Sequence, residues 1–163
     1  MNAFVAMSGP PSPQTPIWRV RRVRIGDADV TDTGFIIVPG ATIDNVVIEV
    51  TTHMPEIDVR VADASGASVR DCLVVVFASD AERLAASQQR YFSLGRPDAE
   101  GVYKARVPAG TYLVAAFDDP EPNMSIFLDP EILAQLRGRA TSIAIGDRER
   151  KPLDVKLVEP PVY

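Results

Sequence analysis

Histidine and cysteine are almost missing: His53 and Cys72 each stand alone among 163 residues. A lone cysteine can form no intrachain disulfide and cannot build a thiolate metal site. A lone histidine cannot supply the several ligands of a zinc carboxypeptidase centre. Serine and cysteine triads need a base, and His53 precedes Met54-Pro55 at a strand junction, the place of a satisfied or solvent-facing ring. No stretch reaches the ~18 to 20 apolar residues that a membrane helix requires. Basic charge is in deficit, with 17 Lys and Arg against 22 Asp and Glu and a net charge of −5. That balance speaks against a nucleic-acid surface, which wants a basic stripe. The first residues carry neither a basic segment nor a usable apolar one, so no signal peptide is expected in them.

What is present leans all-β. Fourteen prolines and ten glycines punctuate short valine-rich runs, and apolar content of 46% suits a soluble globular chain long enough for a real core. Residues 8–16 (S-G-P-P-S-P-Q-T-P) hold four prolines, which marks 1–16 as a polyproline-like linker. Such a linker suggests a piece of a longer protein whose export signal lies upstream.

Beyond it the chain alternates like a succession of strands. They are expected at 17–25, 35–38, 45–51, 57–62, 72–79, 91–94, 141–145 and 153–158, with a short helix over 80–89. The four arginines at 19, 21, 22 and 24 read as the solvated face of an edge strand, where they discourage further pairing. Cys72 leads into an apolar strand and is expected to pack as a small hydrophobe. Asp129-Pro130-Glu131 is a strong helix start, with Asp as cap and Pro at the first helical position.

The central stretch is Asp98 to Phe117, D-A-E-G-V-Y-K-A-R-V-P-A-G-T-Y-L-V-A-A-F. Asp98 and Gly101 fit the ends of a type I turn. Pro108 to Gly110 fits a three-residue loop with Gly110 left-handed, which would make the whole a β-hairpin. Tyr112 is expected to be buried, its hydroxyl bonded to backbone near the preceding turn. One internal likeness stands out: V-R-I-G-D (23–27) resembles I-A-I-G-D (143–147), and 45–50 resembles 152–157. Chance and duplication both account for it. Under duplication, 17–52 is the tail of a preceding copy; its strands are expected to extend the main sandwich, with pairing to another chain as the alternative.

V-A-D-A-S-G-A-S-V (61–69), D-A-E-G-V-Y-K and V-P-A-G-T-Y-L-V together resemble the carboxypeptidase regulatory-like domain. The resemblance covers about 56–157. It implies an all-β, transthyretin-like or Ig-like Greek-key β-sandwich with one or two short helices, over 53–159. It also implies a module of periplasmic or secreted bacterial proteins. The family has no shared catalytic residues, and Gly66, Gly101, Gly110 and Tyr112 match structural turn and core positions only.

Two binding chemistries remain open. Asp118, Asp119 and Glu121, with Asp129 following, offer hard oxygen ligands for Ca²⁺. Their spacing matches no calcium loop, and a solvated loop followed by a helix cap is the expected reading. Trp18, Tyr91, Phe92, Tyr103, Tyr112 and Phe117 could form a sugar-stacking platform, but alternation sends most of them to the core. The expectation is a non-catalytic accessory module without a cofactor, making structural or protein–protein contacts with other domains or proteins. A carbohydrate or peptide binder using loops at one end of the sandwich is the alternative.

Overall fold

A computed structural model describes residues 2–3, 18–86, 88–118, 127 and 129–162. The chain divides into two compact units, Met1–Met54 and Pro55–Tyr163. The expected linker therefore lies largely outside the described residues.

The first unit is built from β1 (Asn2–Ala3), β2 (Arg19–Ile25), β3 (Ala28–Asp29), β4 (Phe35–Ile36) and β5 (Val46–Thr51). β1 pairs with β4, and β3, β2 and β5 form an antiparallel sheet in that order. Gly26, at φ 57°, opens the two-residue loop from β2 to β3. The Asp29 carboxylate then accepts the Thr31 N–H and hydroxyl, and Thr31 Oγ1 accepts the Val23 N–H at 2.9 Å. Register places Val20 opposite Val50, Val23 opposite Ile48 and Ile25 opposite Val46, so six aliphatic residues share one face. The other face pairs Arg22 with Glu49 and Arg24 with Val47. There Arg22 meets Asp29 at 3.1 Å and Arg24 meets Glu49 at 3.7 Å.

Two expectations change here. β2 is the middle strand and not an edge; its arginines find acidic partners on both neighbours. β5 takes β2 as its neighbour and the three strands make a sheet of their own, where extension of the main sandwich was expected. The resembling strands of the far end do not repeat this pairing, because they fall in two different sheets.

The second unit contains β6 (Glu56–Ala62), β7 (Leu73–Ala78), α1 (Ala81–Ala86), α2 (Gln88–Tyr91), β8 (Phe92–Gly95), β9 (Val102–Arg106), β10 (Gly110–Phe117), α3 (Pro130–Arg137), β11 (Thr141–Ile145) and β12 (Arg150–Lys156). One sheet runs β11-β10-β7-β8, all antiparallel, and the other runs β12-β6-β9 with β12 parallel to β6. This is an all-β sandwich carrying short helices. β6 alternates as its sequence requires, with Ile57, Val59 and Val61 buried and Asp58, Arg60 and Ala62 on the outer side.

β7 is buried at every residue, and the reason is cover on both faces. Val74 and Val76 share a face with Ser93 and Gly95 of β8 and with Val114 and Ala116 of β10. That face looks toward β9, where the Tyr103 hydroxyl meets Ser93 Oγ at 2.6 Å. Leu73, Val75 and Phe77 face the other way, beside Phe117. There Phe117 packs on Phe127 with centroids 5.7 Å apart, and the Arg137 guanidinium lies 5.8 Å over Phe77. α3 supplies this cover through buried Ile132, Leu133 and Leu136, and Asp129 caps it by accepting the Glu131 N–H at 2.8 Å. Cys72 is fully buried, and burial pushes its thiol above the ordinary range.

The expected hairpin does not exist. β9 belongs with β6 and β10 with β7 and β11, so residues 107–109 carry the chain from one sheet to the other. The strands' own patterns explain it. β9 keeps Lys104 and Arg106 exposed and suits a half-solvated sheet, whereas the apolar β10 suits the sheet covered on both sides. Gly110 accordingly heads β10 without a left-handed φ, unlike Gly66 at 88° and Gly101 at 75°.

Candidate binding surfaces

The sites expected from sequence separate into scaffold and surface. Gly66 and Gly101 close twin turns, D-A-S-G and D-A-E-G, one on each side of the sandwich core in sequence. Gly66 N–H donates to Asp63 O at 3.1 Å and Gly101 N–H to Asp98 O at 2.9 Å. In each turn the aspartate carboxylate also gathers nearby amides: Ser65 and Ala67 for Asp63, Glu100 and Val102 for Asp98. These bonds hold both carboxyls below their ordinary range, led by the Ser65 hydroxyl at Asp63 and the Val102 amide at Asp98. Tyr112 is 1% exposed and donates its hydroxyl to Pro108 O at 2.8 Å, as the sequence suggests.

The Ca²⁺ candidates are not drawn together. Asp118 follows β10 and is exposed, Asp129 spends its carboxylate on the α3 cap, and Asp119 and Glu121 lie outside the described residues. Among the described residues no group of three or more His, Cys, Asp or Glu side chains is placed to hold a metal. His53 is exposed and its Nδ1 sits 3.0 Å from Thr52 Oγ1. The aromatic set goes mostly inward: Tyr91, Tyr112 and Phe117 are buried, Phe92 and Tyr103 half-buried, and Trp18 is the exposed one.

Three surfaces remain that could meet another molecule. The first is a cleft of about 300 Å³ at one end of the sandwich, where β7 runs into α1 and β10 begins. Asp80, Arg83, Tyr91 and Thr111 line it. Asp80 Oδ1 caps α1 through the Glu82 and Arg83 amides, and the Arg83 guanidinium lies 5.9 Å over the Tyr91 ring. A cationic group above an aromatic wall, beside a carboxylate and a hydroxyl, can hold a small polar ligand by hydrogen bonds.

The second surface is the outer face of β12-β6-β9. Glu56 receives Arg106 at 2.7 Å and Arg150 at 3.4 Å, and Arg150 also meets Asp58 at 2.7 Å. Its arginines are well exposed, so solvent screens most of the energy. Sequence reading missed this ladder because Arg150 lies in what resembles a loop. Its pairing to β6 spans some ninety residues, and no local pattern announces a parallel edge strand containing Pro152.

The third is the β5 margin of the aliphatic face of β3-β2-β5, beside the buried Val23. Val46, Val47, Ile48 and Val50 are each 40–46% exposed, which leaves β5 open on both sides.

No protein-family model matches the chain, and a search of curated proteins gives no match. Solved structures give partial likenesses. The major pilin subunit BcpA of Bacillus cereus aligns at 14% identity and a TM-score of 0.40, covering 69% of this chain and 31% of its own. The TIE protein of Bacillus anthracis aligns at 11% and 0.39, covering 76% of this chain and 23% of its own. A Pseudomonas aeruginosa protein described as a candidate carbohydrate binder aligns at 13% and 0.33, covering 64% of this chain and 86% of its own. The chain spans less than a third of the length of either Bacillus protein. Overlaps this loose add nothing to what the sheets show: the class is a β-sandwich module. No helix among the described residues is long and apolar enough to cross a membrane.

Proposed function

We propose that this chain is a non-catalytic β-sandwich module of an exported bacterial protein, acting through structural or protein–protein contacts. The observation that supports it is the aliphatic face of β3-β2-β5, on which Val46, Ile48 and Val50 stand 40–46% exposed. Aliphatic side chains held side by side in water are a standing cost that a partner surface removes. The resemblance to the carboxypeptidase regulatory-like domain supports the exported setting, and its two D-A-x-G turns carry left-handed Gly66 and Gly101. The test is site-directed photo-crosslinking in the producing cell. A photoreactive residue in place of Val46 should yield protein adducts that disappear with Val50→Lys. The same residue in place of Arg60, on the polar outer face, should yield none. Equal yields at the two positions, or no adduct at 46, would overturn the reading.

The cleft beside Arg83 and Tyr91 favours a second reading, a carbohydrate or peptide held at the end of the sandwich. Retention on a glycan or peptide array, lost with Arg83→Ala, would establish it.

A further inference from the structure

β5 has one neighbour among the described residues, β2, and its other edge meets no described strand. The backbone groups on that edge follow from the far side of the sheet. Val23 donates its N–H to Thr31 Oγ1 and accepts the Val30 N–H at 2.9 Å, so its main chain turns away from β5. Residues directly opposite in an antiparallel pair share this orientation. Ile48, opposite Val23, therefore turns its own N–H and C=O away from β2. Val46 and Val50, two residues to either side, do the same. The open edge thus presents three donors and three acceptors in a row, the arrangement that recruits another strand.

We propose that this edge pairs antiparallel with β5 of a second copy of the chain, about a twofold axis at Ile48; the inference rests on the protein-contact reading above. V-x-I-x-V reads the same in both directions. With Ile48 opposite Ile48 and Val46 opposite Val50, every outward donor meets an acceptor, and valine meets valine. The aliphatic face then runs unbroken across both sheets. On the other face Glu49 comes opposite Val47 of the copy and keeps its Arg24 partner. A shift of two residues one way sets Glu49 against Glu49, which like-charge repulsion disfavours. A shift the other way runs off the strand at Asn45, whose left-handed φ of 56° ends it. Charge permits the approach, since residues 1–54 carry four arginines against five carboxylates and the remaining net negative charge lies in the second unit.

Sedimentation equilibrium of the full chain across a concentration series tests this. The mass should rise from 17.7 kDa toward twice that value. Ile48→Lys and Ile48→Glu should each abolish the rise, because like charges then face each other at the axis, and mixing the two variants should restore it. A second pair guards against misfolding at position 48. Val46→Glu/Val50→Lys should still dimerise, and Val46→Lys/Val50→Lys should not. A wild type that stays monomeric throughout, or a dimer indifferent to Ile48→Lys, overturns the proposal. A monomer that still crosslinks another protein from position 46 would sink the second copy and leave the interaction reading standing.

Discussion

Leu73–Ala78 and Val46–Thr51 are both short, valine-rich strands, yet the first is buried at every residue and the second is open on both faces. Glu49 and Thr51 separate their compositions only in part. Cover completes the difference: β7 lies between the second sheet on one side and α3 with Phe127 on the other, and those elements come from distant parts of the chain. An apolar run therefore predicts a strand without telling what will lie on it. Where cover is lacking, the same run becomes a surface for something else.

The largest expected effect attacks this contrast directly. Phe77→Ala removes a ring with no exposure that lies under Arg137. It should cost about 3–5 kcal/mol, through lost transfer energy and a cavity that the two-sided packing cannot close. Ile48→Ala should cost about 1 kcal/mol or less, since a half-exposed side chain leaves no cavity behind. Chemical denaturation of dilute protein measures both, and equal losses would break the comparison.

Tyr112→Phe probes how the covered sheet treats a buried polar group. The hydroxyl donates to Pro108 O, at the crossing where the chain leaves one sheet for the other. Its loss should cost about 1–3 kcal/mol, because the carbonyl is left without its donor. A change within error would mean that water reaches Pro108.

Much of this was legible. Strand positions and the α3 start came from alternation and from Asp129-Pro130, and the Tyr112 bond came from a tyrosine placed just after a turn. The pairing was not legible. A turn-like P-A-G between two strands suggests a hairpin, but whether 102–106 and 110–117 pair is decided by the strands that compete for them. β10 found a wholly apolar neighbour in β7, with β11 on its other edge, and β9 found a half-polar one in β6. The same blindness hid the Glu56–Arg150 ladder, whose members meet only after the parallel pairing forms. The exposure of β5 was hidden too, because cover is a property of the whole fold.

Gly101 and Gly110 sharpen the point one step down in size. Both resemble turn glycines in sequence, but only Gly101 has a left-handed φ, 75°. Gly101→Ala should cost about 1–2 kcal/mol from left-handed strain. Gly110→Ala should be close to neutral, because an added Cβ would meet nothing nearer than 3.5 Å, at the Tyr112 ring. Equal thermal shifts for the two variants would restore the hairpin geometry that the sheets contradict.

The smallest effect is the pH dependence, and it too divides the units. Asp63, Asp98 and Glu149 in the second unit all titrate below their ordinary values, Glu149 chiefly because it accepts the Gly146 N–H. In the first unit Asp29 is so shifted, chiefly by the Thr31 hydroxyl. A carboxyl whose folded value is depressed adds stability above its unfolded value, near 3.8 for Asp and 4.5 for Glu. That stability is lost as pH falls through the folded value. Three such groups against one predict that acid weakens the second unit more steeply. The aromatic residues allow the units to be followed apart: Trp18 is the single tryptophan and all four tyrosines lie beyond Pro55. Tryptophan fluorescence then reports the first unit and tyrosine absorbance the second during thermal melts between neutral pH and pH about 3. The tyrosine midpoint should fall faster, and Asp63→Asn with Asp98→Asn should flatten that fall while leaving the tryptophan midpoint unmoved. The second-unit carboxyls are half-exposed, so added salt should shrink the ion-pair share, such as Lys104 with Asp98, and spare the amide share. Tyrosine and tryptophan midpoints that fall in parallel, unchanged by the double variant, would show that the turn carboxylates do not set the acid limb.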